Sequence, residues 1–395
     1  MSISVDVPVS NRSSMVFLGL TAVTFLAASS APTPLYRLYQ DTMQFSAATL
    51  TLIFGVYALS LLTALLTVGS LSDYLGRRPV IFCALILDML AMVLFLCADN
   101  VTWLIAARLL QGFATGMATS VLGAAMLDND RQQGPLINSI SPLVGMACGA
   151  LGTSVLVQFA PQPLSLAYWI LLGAFAIQAV YVWRLPESMS PQPGALASLR
   201  PSLHIPPQAR AAMWSVLPVN IAVWAMGGFY LALVPSLIRA ATGSDSYLVG
   251  GGVVAVLTLS GALAIFSMRN QSAARVLTLG SSLLVVGVST LMLAVHTASL
   301  GLFFFGSLLA GCGFGAGFLG SVRSVVPLAL PHERAGLMSA FYILSYLAFC
   351  LPVLLVGNLA RIFGLVVTAD GFSVVLIVLA LFALLLGRAE APIKA

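Results

Sequence analysis

The chain has 395 residues, of which 60% are hydrophobic and only 7% charged. A soluble globular protein, for which about 45–50% apolar residues is usual, is excluded. The formal charge of +5 does not point to nucleic acid, because the cations stand singly at the ends of apolar runs rather than on a phosphate-binding face. The five cysteines (Cys83, Cys97, Cys148, Cys312, Cys350) lie within apolar runs or at their edges. Their odd number and irregular spacing indicate neither a disulfide framework nor a metal site, so packing or lipid-facing positions are expected.

In chain order, a polar start is followed by a first apolar run, Met15 to Ala31. Arg12, the run and Ala27-Ala28-Ser29-Ser30-Ala31 imitate a secretory signal with a cleavage site. Cleavage would leave an odd number of spans, so an uncleaved first helix is expected, ending at Pro32 and Pro34 with Tyr36 and Tyr39 at the membrane interface. The next runs, Ser46 to Val68 and Pro79 to Ala98, can each cross a bilayer core of about 30 Å as a helix. Between them lies Gly69-Ser70-Leu71-Ser72-Asp73-Tyr74-Leu75-Gly76-Arg77-Arg78, a tight charged turn at a membrane face. Gly69 permits close helix approach, Gly76 a turn conformation hindered by side chains, and Arg77 and Arg78 hold that face on the cytoplasmic side.

Runs follow at Val101 to Leu127, Pro135 to Phe159 and Leu164 to Trp183. Arg184 to Arg210 is rich in proline, serine and charge, and no window in it could span a bilayer. Six more runs complete the chain: Ala211 to Leu237, Tyr247 to Met268, Val276 to His296, Leu300 to Leu330, Ala335 to Ala360, and Leu365 to Leu386. The reading is an all-α integral membrane protein with twelve transmembrane helices in two six-helix bundles, 1–184 and 211–395, joined by a linker, 185–210. With both termini and the linker placed in the cytoplasm, thirteen of the seventeen Lys and Arg fall on that side, from Arg12 to Lys394. Arg37, Arg239 and Arg361 fall outside and Arg108 lies within a span, a bias that sets the orientation.

The pattern G-x-L-x-D-x-x-G-R-R over Gly69 to Arg78 resembles the signature loop of the major facilitator superfamily, and every fixed position of it is filled. The resemblance implies two bundles rocking about a midplane site. It also implies a cytoplasmic latch built from Gly69, Asp73, Gly76, Arg77 and Arg78, with Asp128 and Asp130 as partners for Arg77. Gly261, Arg269 and Arg275 form a degenerate echo after the eighth span, without the aspartate. In the fourth span Arg108-Leu109-Leu110-Gln111-Gly112 resembles the family's second motif. The fifth span, with Ser141-Pro142-Leu143-Val144-Gly145, half-matches an antiporter motif in which Ser141 and Met146 replace glycines. Export is one reading of that stretch; a hinge without bearing on direction is the other.

No hydrolase, kinase or dehydrogenase constellation is present, and no cofactor or metal is expected. Gly315-Ala316-Gly317-Phe318-Leu319-Gly320 matches a dinucleotide pattern, yet it lies in an apolar span after no strand, so helix packing explains it better. Arg108, Gln111 and Thr115 share one helix face. They read either as a polar stripe on a transport cavity or as a structural arginine satisfied by carbonyls. Asp88, the only carboxylate deep in a span, is the candidate proton site, because burial disfavours the charged form unless a cation opposes it. It is expected to meet Arg108 across the hairpin of the third and fourth spans, with an offset of about 5 Å along the axis. Asn220, Trp224 and Tyr230 in the seventh span, with Tyr342 and Tyr346 in the eleventh, complete an apolar, aromatic cavity, or else are ordinary packing.

These residues read as a proton-coupled secondary transporter, exporting a small lipophilic molecule from the cytoplasm as a monomer in the cytoplasmic (inner) membrane. The expected partners are a small-molecule solute, protons and the lipid bilayer. The rivals are an importer of a small organic anion with Arg108 as counter-ion, and a membrane sensor that transports nothing.

Overall fold

In a bilayer there is no water to satisfy backbone N–H and C=O groups, so apolar runs of this length must close their own hydrogen bonds as helices. The computed structural model describes residues 11–201, 203–330 and 333–389, and no strand occurs among them. Lys394, counted above for orientation, lies outside the described residues.

Twelve helices among the described residues are long and apolar enough to cross a membrane. In the first half they are Arg12–Met43, Ala47–Thr67, Arg77–Leu96, Val101–Asn129, Gly134–Phe159 and Pro163–Arg184. In the second half they are Pro207–Ala232, Tyr247–Ser267, Ala273–His296, Leu300–Leu328, Gly336–Phe363 and Leu365–Leu386.

The first span corrects an expectation. Helix Arg12–Ser30 does not stop at the prolines but is resumed by Pro32–Met43, with Ala31 between them still helical at φ −54° and ψ −37°. Proline is tolerated in the first turn of a helix, where its missing N–H would have been unpaired in any case. Tyr36 and Tyr39 are therefore carried into the protein, 3% and 2% exposed, rather than left at the interface.

Within the first half, the fourth helix packs against the first, second and third; within the second half, the tenth packs against the seventh, eighth and ninth. Two seams join the halves, the second helix on the eleventh and the fifth on the eighth. Small residues set these approaches. A Cβ on Gly112 or Gly116 would run into the backbone of Tyr57 or Leu61 on the second helix. The three fixed glycines of the dinucleotide-like pattern face three different helices: Gly315 meets Gly261, Gly317 meets Val223, and Gly320 meets Leu277. That pattern is a packing device.

Helix direction alternates, so the signature turn and the segment 185–206 share one face, here called the linker face. The seventh helix begins at Pro207, inside the stretch expected to be linker. The linker lies against the signature turn: the Gln192 N–H donates to the Tyr74 carbonyl at 2.8 Å and the Ser70 hydroxyl to the Ser198 carbonyl at 3.2 Å. On the opposite face the halves are joined by Arg37 and Asp245, 2.7 Å apart, and by the Thr33 hydroxyl, which donates to the Leu231 carbonyl at 2.9 Å.

Candidate functional site

Side chains stand out in three places: at the linker face, buried inside the first half, and in the second half next to the seam. At the linker face Asp73 sits on the short turn Ser72–Leu75, and Gly76 follows at φ +97°, a conformation that strains any other residue. Arg77 opens the third helix with its side chain only 8% exposed. Its guanidinium donates to Asp73 Oδ1 at 2.5 Å, to Asp128 Oδ2 at 2.9 Å and to Ser72 Oγ at 2.6 Å. Gly69 ends the second span close to Ser120 of the fourth. Asp130 accepts from the backbone N–H groups of Gln132 and Gln133, both at 2.8 Å, at the turn into the fifth helix.

One member of this group escaped the sequence reading. Glu187 of the linker accepts from the backbone N–H of Arg77 at 2.8 Å and of Arg78 at 3.0 Å. It thereby caps a helix whose own Ncap residue, Gly76, has no side chain to do so, and places negative charge at the positive end of the helix dipole. The neighbouring Ser188 hydroxyl donates to Asp128 Oδ2 at 2.8 Å. The signal was available: Glu187 is the only acidic residue between 185 and 210.

Inside the first half, Arg108, Gln111 and Thr115 do share one buried face. Their partners descend from the proline break in the first span. Pro32 has no N–H, so the Ala28 carbonyl four residues earlier loses its helical donor, and Gln111 Nε2 supplies one at 3.0 Å. Arg108 NH1 donates to the Ser29 carbonyl at 2.8 Å and to Gln111 Oε1 at 2.7 Å. Its Nε and NH2 donate to the Tyr36 hydroxyl, at 2.8 and 2.5 Å, and its guanidinium lies 4.7 Å from the Tyr57 ring centroid.

Here the expected Asp88–Arg108 pair is corrected. Among the described residues no ion pair joins them, because Arg108 is spent on the Ser29 carbonyl and the Tyr36 hydroxyl of the first span and on Gln111 of its own helix. Asp88 is 0% exposed and neither of its oxygens has a hydrogen-bond partner. Gln111, Arg108 and Tyr57 are polar groups of its surroundings. The carboxyl is buried, unpaired and beside a cation already engaged elsewhere.

In the second half, Trp224, Tyr342 and Tyr346 form a half-buried aromatic cluster. The Trp224 and Tyr346 rings are 4.8 Å apart and those of Tyr342 and Tyr346 6.3 Å. Phe349 adds a contact 6.0 Å from Trp224 and 5.0 Å from Phe54 of the first half, so the cluster reaches the seam. Asn220 is buried one turn before Trp224 and donates to Ser345 Oγ at 2.9 Å. Tyr230 is the second correction. Its hydroxyl is 2.7 Å from Ser307 Oγ on the tenth helix, and it lines a separate apolar cavity within the second half with Met226 and Phe303. From Trp224 to Tyr230 is six residues, about 600° of helical rotation, which turns Tyr230 away from the face that carries Asn220 and Trp224.

Comparisons with known proteins bear on the family and the fold. A family model described as Major Facilitator Superfamily matches residues 17–353. The multidrug resistance protein MdtL of Escherichia coli O139:H28 is 28% identical over 155 residues, 38% of this chain and 39% of the relative. An uncharacterized transporter of Rickettsia felis is 30% identical over 142 residues, 34% of each chain. The chain thus matches less than half the length of these curated relatives. Among solved structures, a bacterial homologue of the human lysosomal transporter Spinster, inward-facing and unoccupied, superposes with a TM-score of 0.75 at 15% identity, over 95% of this chain and 96% of that one. The nucleoside transporter NupG gives 0.73 at 15% identity, over 94% and 99%. The human organic anion transporter MFSD10 gives 0.70 at 18% identity, over 94% and 99%. At such identities these likenesses bear on the fold alone.

Proposed function

The chain belongs to the major facilitator superfamily, and we propose that it is a proton-coupled secondary active transporter that exports a small lipophilic molecule across the cytoplasmic membrane. Alternating access about the seam between two six-helix bundles moves the solute. The observation that carries the reading is Asp88, a fully buried carboxyl without a hydrogen-bond partner inside a span, where ionisable groups are rare and mark proton or substrate pathways. Asp88 and Arg108 belong to the same half, so the reading needs the third helix to move against the fourth, or water to reach Asp88, as the seam opens and closes.

Export is supported by the multidrug relative and by an aromatic, weakly charged wall in the second half. Arg108, with Tyr36, Ser29 and Gln111 already on its guanidinium, has little left to offer an anion, so import of an organic anion is the weaker alternative. The cation bias supports a cytoplasmic linker and cytoplasmic termini, and the reading has the protein act as a monomer.

The test is solute movement in vesicles with an imposed pH gradient, measured against a solute panel. Accumulation in inverted vesicles and not in right-side-out ones is expected from the orientation and direction proposed. Asp88→Asn should abolish pH-driven accumulation yet preserve solute exchange at equal pH. Intact pH-driven accumulation in that variant would move coupling to another group, and loss of folding would make Asp88 structural.

A further inference from the structure

Among the described residues of the second half, two side-chain polar atoms are buried without a partner, and they belong to residues one helical turn apart on the same face: Asn220 Oδ1 and Trp224 Nε1. The orientation of the Asn220 amide is fixed by chemistry. The Ser345 hydroxyl has a single proton, and it donates this to the Phe341 carbonyl at 2.8 Å. Toward Asn220 the Ser345 oxygen can therefore only accept, which it does from Nδ2 at 2.9 Å. Asn220 must then turn its carbonyl oxygen elsewhere, as an acceptor without a donor. Trp224 presents the converse, an indole N–H that can only donate.

Folded proteins rarely leave buried polar atoms unpaired, and those that remain require a cause. A donor and an acceptor orphaned together, beside half-buried rings of Tyr342 and Tyr346 at the seam, have a common cause in a ligand. The described neighbours of this pair are aromatic rings and a serine, with no carboxylate or cation among the contacts they make. A charged solute would find nothing here to balance it.

We propose that Asn220 and Trp224 form the recognition subsite for an uncharged planar aromatic solute that carries both a hydrogen-bond donor and an acceptor, as a primary or cyclic amide does. The solute's N–H meets Asn220 Oδ1, its carbonyl accepts from Trp224 Nε1, and its ring packs against the aromatic cluster. This rests on the transport reading above and names the substrate class within it.

The experiment uses the full-length protein in detergent and four probes on one ring system: 2-naphthamide, methyl 2-naphthoate, 2-naphthoate and 2-naphthylmethylammonium. Direct binding is expected to be tightest for the neutral amide, by about tenfold or more over either charged probe, with the ester between. Trp224→Phe keeps the ring and removes only the N–H, and should weaken the amide and the ester alike. Asn220→Leu should weaken the amide about tenfold and leave the ester unchanged; a melting curve checks that the variant is folded. If Asn220→Leu does not fold, the order of the four probes on the unaltered protein decides by itself. Tighter binding of a charged probe, equal loss of amide and ester in Asn220→Leu, or no binding by any of the four would each overturn the subsite. The same probes in vesicles keep the two ideas apart. Amide preference without pH-driven movement retains the subsite and removes proton coupling, whereas pH-driven movement with preference for a charged probe does the reverse.

Discussion

The turns that follow the second and eighth spans occupy equivalent places in the two halves and are held in opposite ways. In the first half a cation of the turn, Arg77, is buried against carboxylates of the turn itself and of the fourth helix, Asp73 and Asp128. In the second half the cation comes from the tenth helix. Arg323 reaches over and donates to backbone carbonyls of the turn, those of Met268 at 3.4 Å, Gln271 at 3.1 Å and Arg269. The arginines of the second turn serve only themselves: Arg275 donates to Gln271 Oε1 at 3.1 Å, and Arg269 lies over the Phe266 ring at 4.1 Å. Ion pairs at an interface with water can be exchanged for hydration or for new partners as bundles move, at a cost of a few kcal/mol. Carbonyls of the second turn can be hydrated as well, but they offer no charge to exchange. On this difference we propose that the first turn switches and the second holds its half together.

The largest test of that contrast is Asp73→Asn, which removes a charge from the switching turn while keeping its shape. Flux should fall to background with membrane insertion and melting temperature near normal; near-wild-type flux would remove the mechanical role of the turn. Next in size is Glu187→Ala. It strips the cap from the third helix and leaves two N–H groups without their charged acceptor, each worth about 1.5–3 kcal/mol in a protected setting and less at this solvent-facing end. A fall in flux of about tenfold, with a melting temperature lowered by a few degrees, is expected. Glu187→Gln should recover part of both, since the amide oxygen still accepts.

How far these elements were legible in the sequence depended on whether the chemistry was local. The signature turn was readable because its residues lie within ten positions and its glycines and charges each have a local reason. Spans were readable because length and apolarity decide them. Glu187 was not, since nothing local marks a linker carboxylate as the cap of a helix that begins 110 residues earlier. The Asp88–Arg108 expectation failed for a related cause. Axial offset along two helices says nothing of the acceptors that the first span brings to Arg108, the Ser29 carbonyl and the Tyr36 hydroxyl. Tyr230 was counted with the cavity for its nearness alone, since it stands outside the four-residue spacing of Asn220 and Trp224.

Arg323→Ala probes the cohesive turn, and its expected signature is the reverse of that for Asp73→Asn. Three carbonyl acceptors lose a charged donor, but all lie at the exposed linker end where water replaces much of the loss. A destabilisation of about 1–3 kcal/mol, read as a lower melting temperature, should accompany flux within about threefold of normal. Background flux in a folded Arg323→Ala would show that both turns switch.

The smallest expected effect is the most discriminating about cause. Gln271→Glu puts a carboxylate on the second turn, four residues from Arg275 and within reach of its guanidinium, so that the turn gains the charge pair it lacks. If charge alone made a latch, the variant would stiffen the linker face and slow transport. Arg77, however, is 8% exposed with a second carboxylate brought to it by another helix, whereas Gln271 and Arg275 are both exposed. Exposed pairs of this kind contribute about 0–1 kcal/mol and are screened by salt. Flux and melting temperature in Gln271→Glu should therefore match the unaltered protein at physiological ionic strength. A clear drop in flux that is relieved by added salt would mean that charge, rather than burial between helices, makes the first turn a switch.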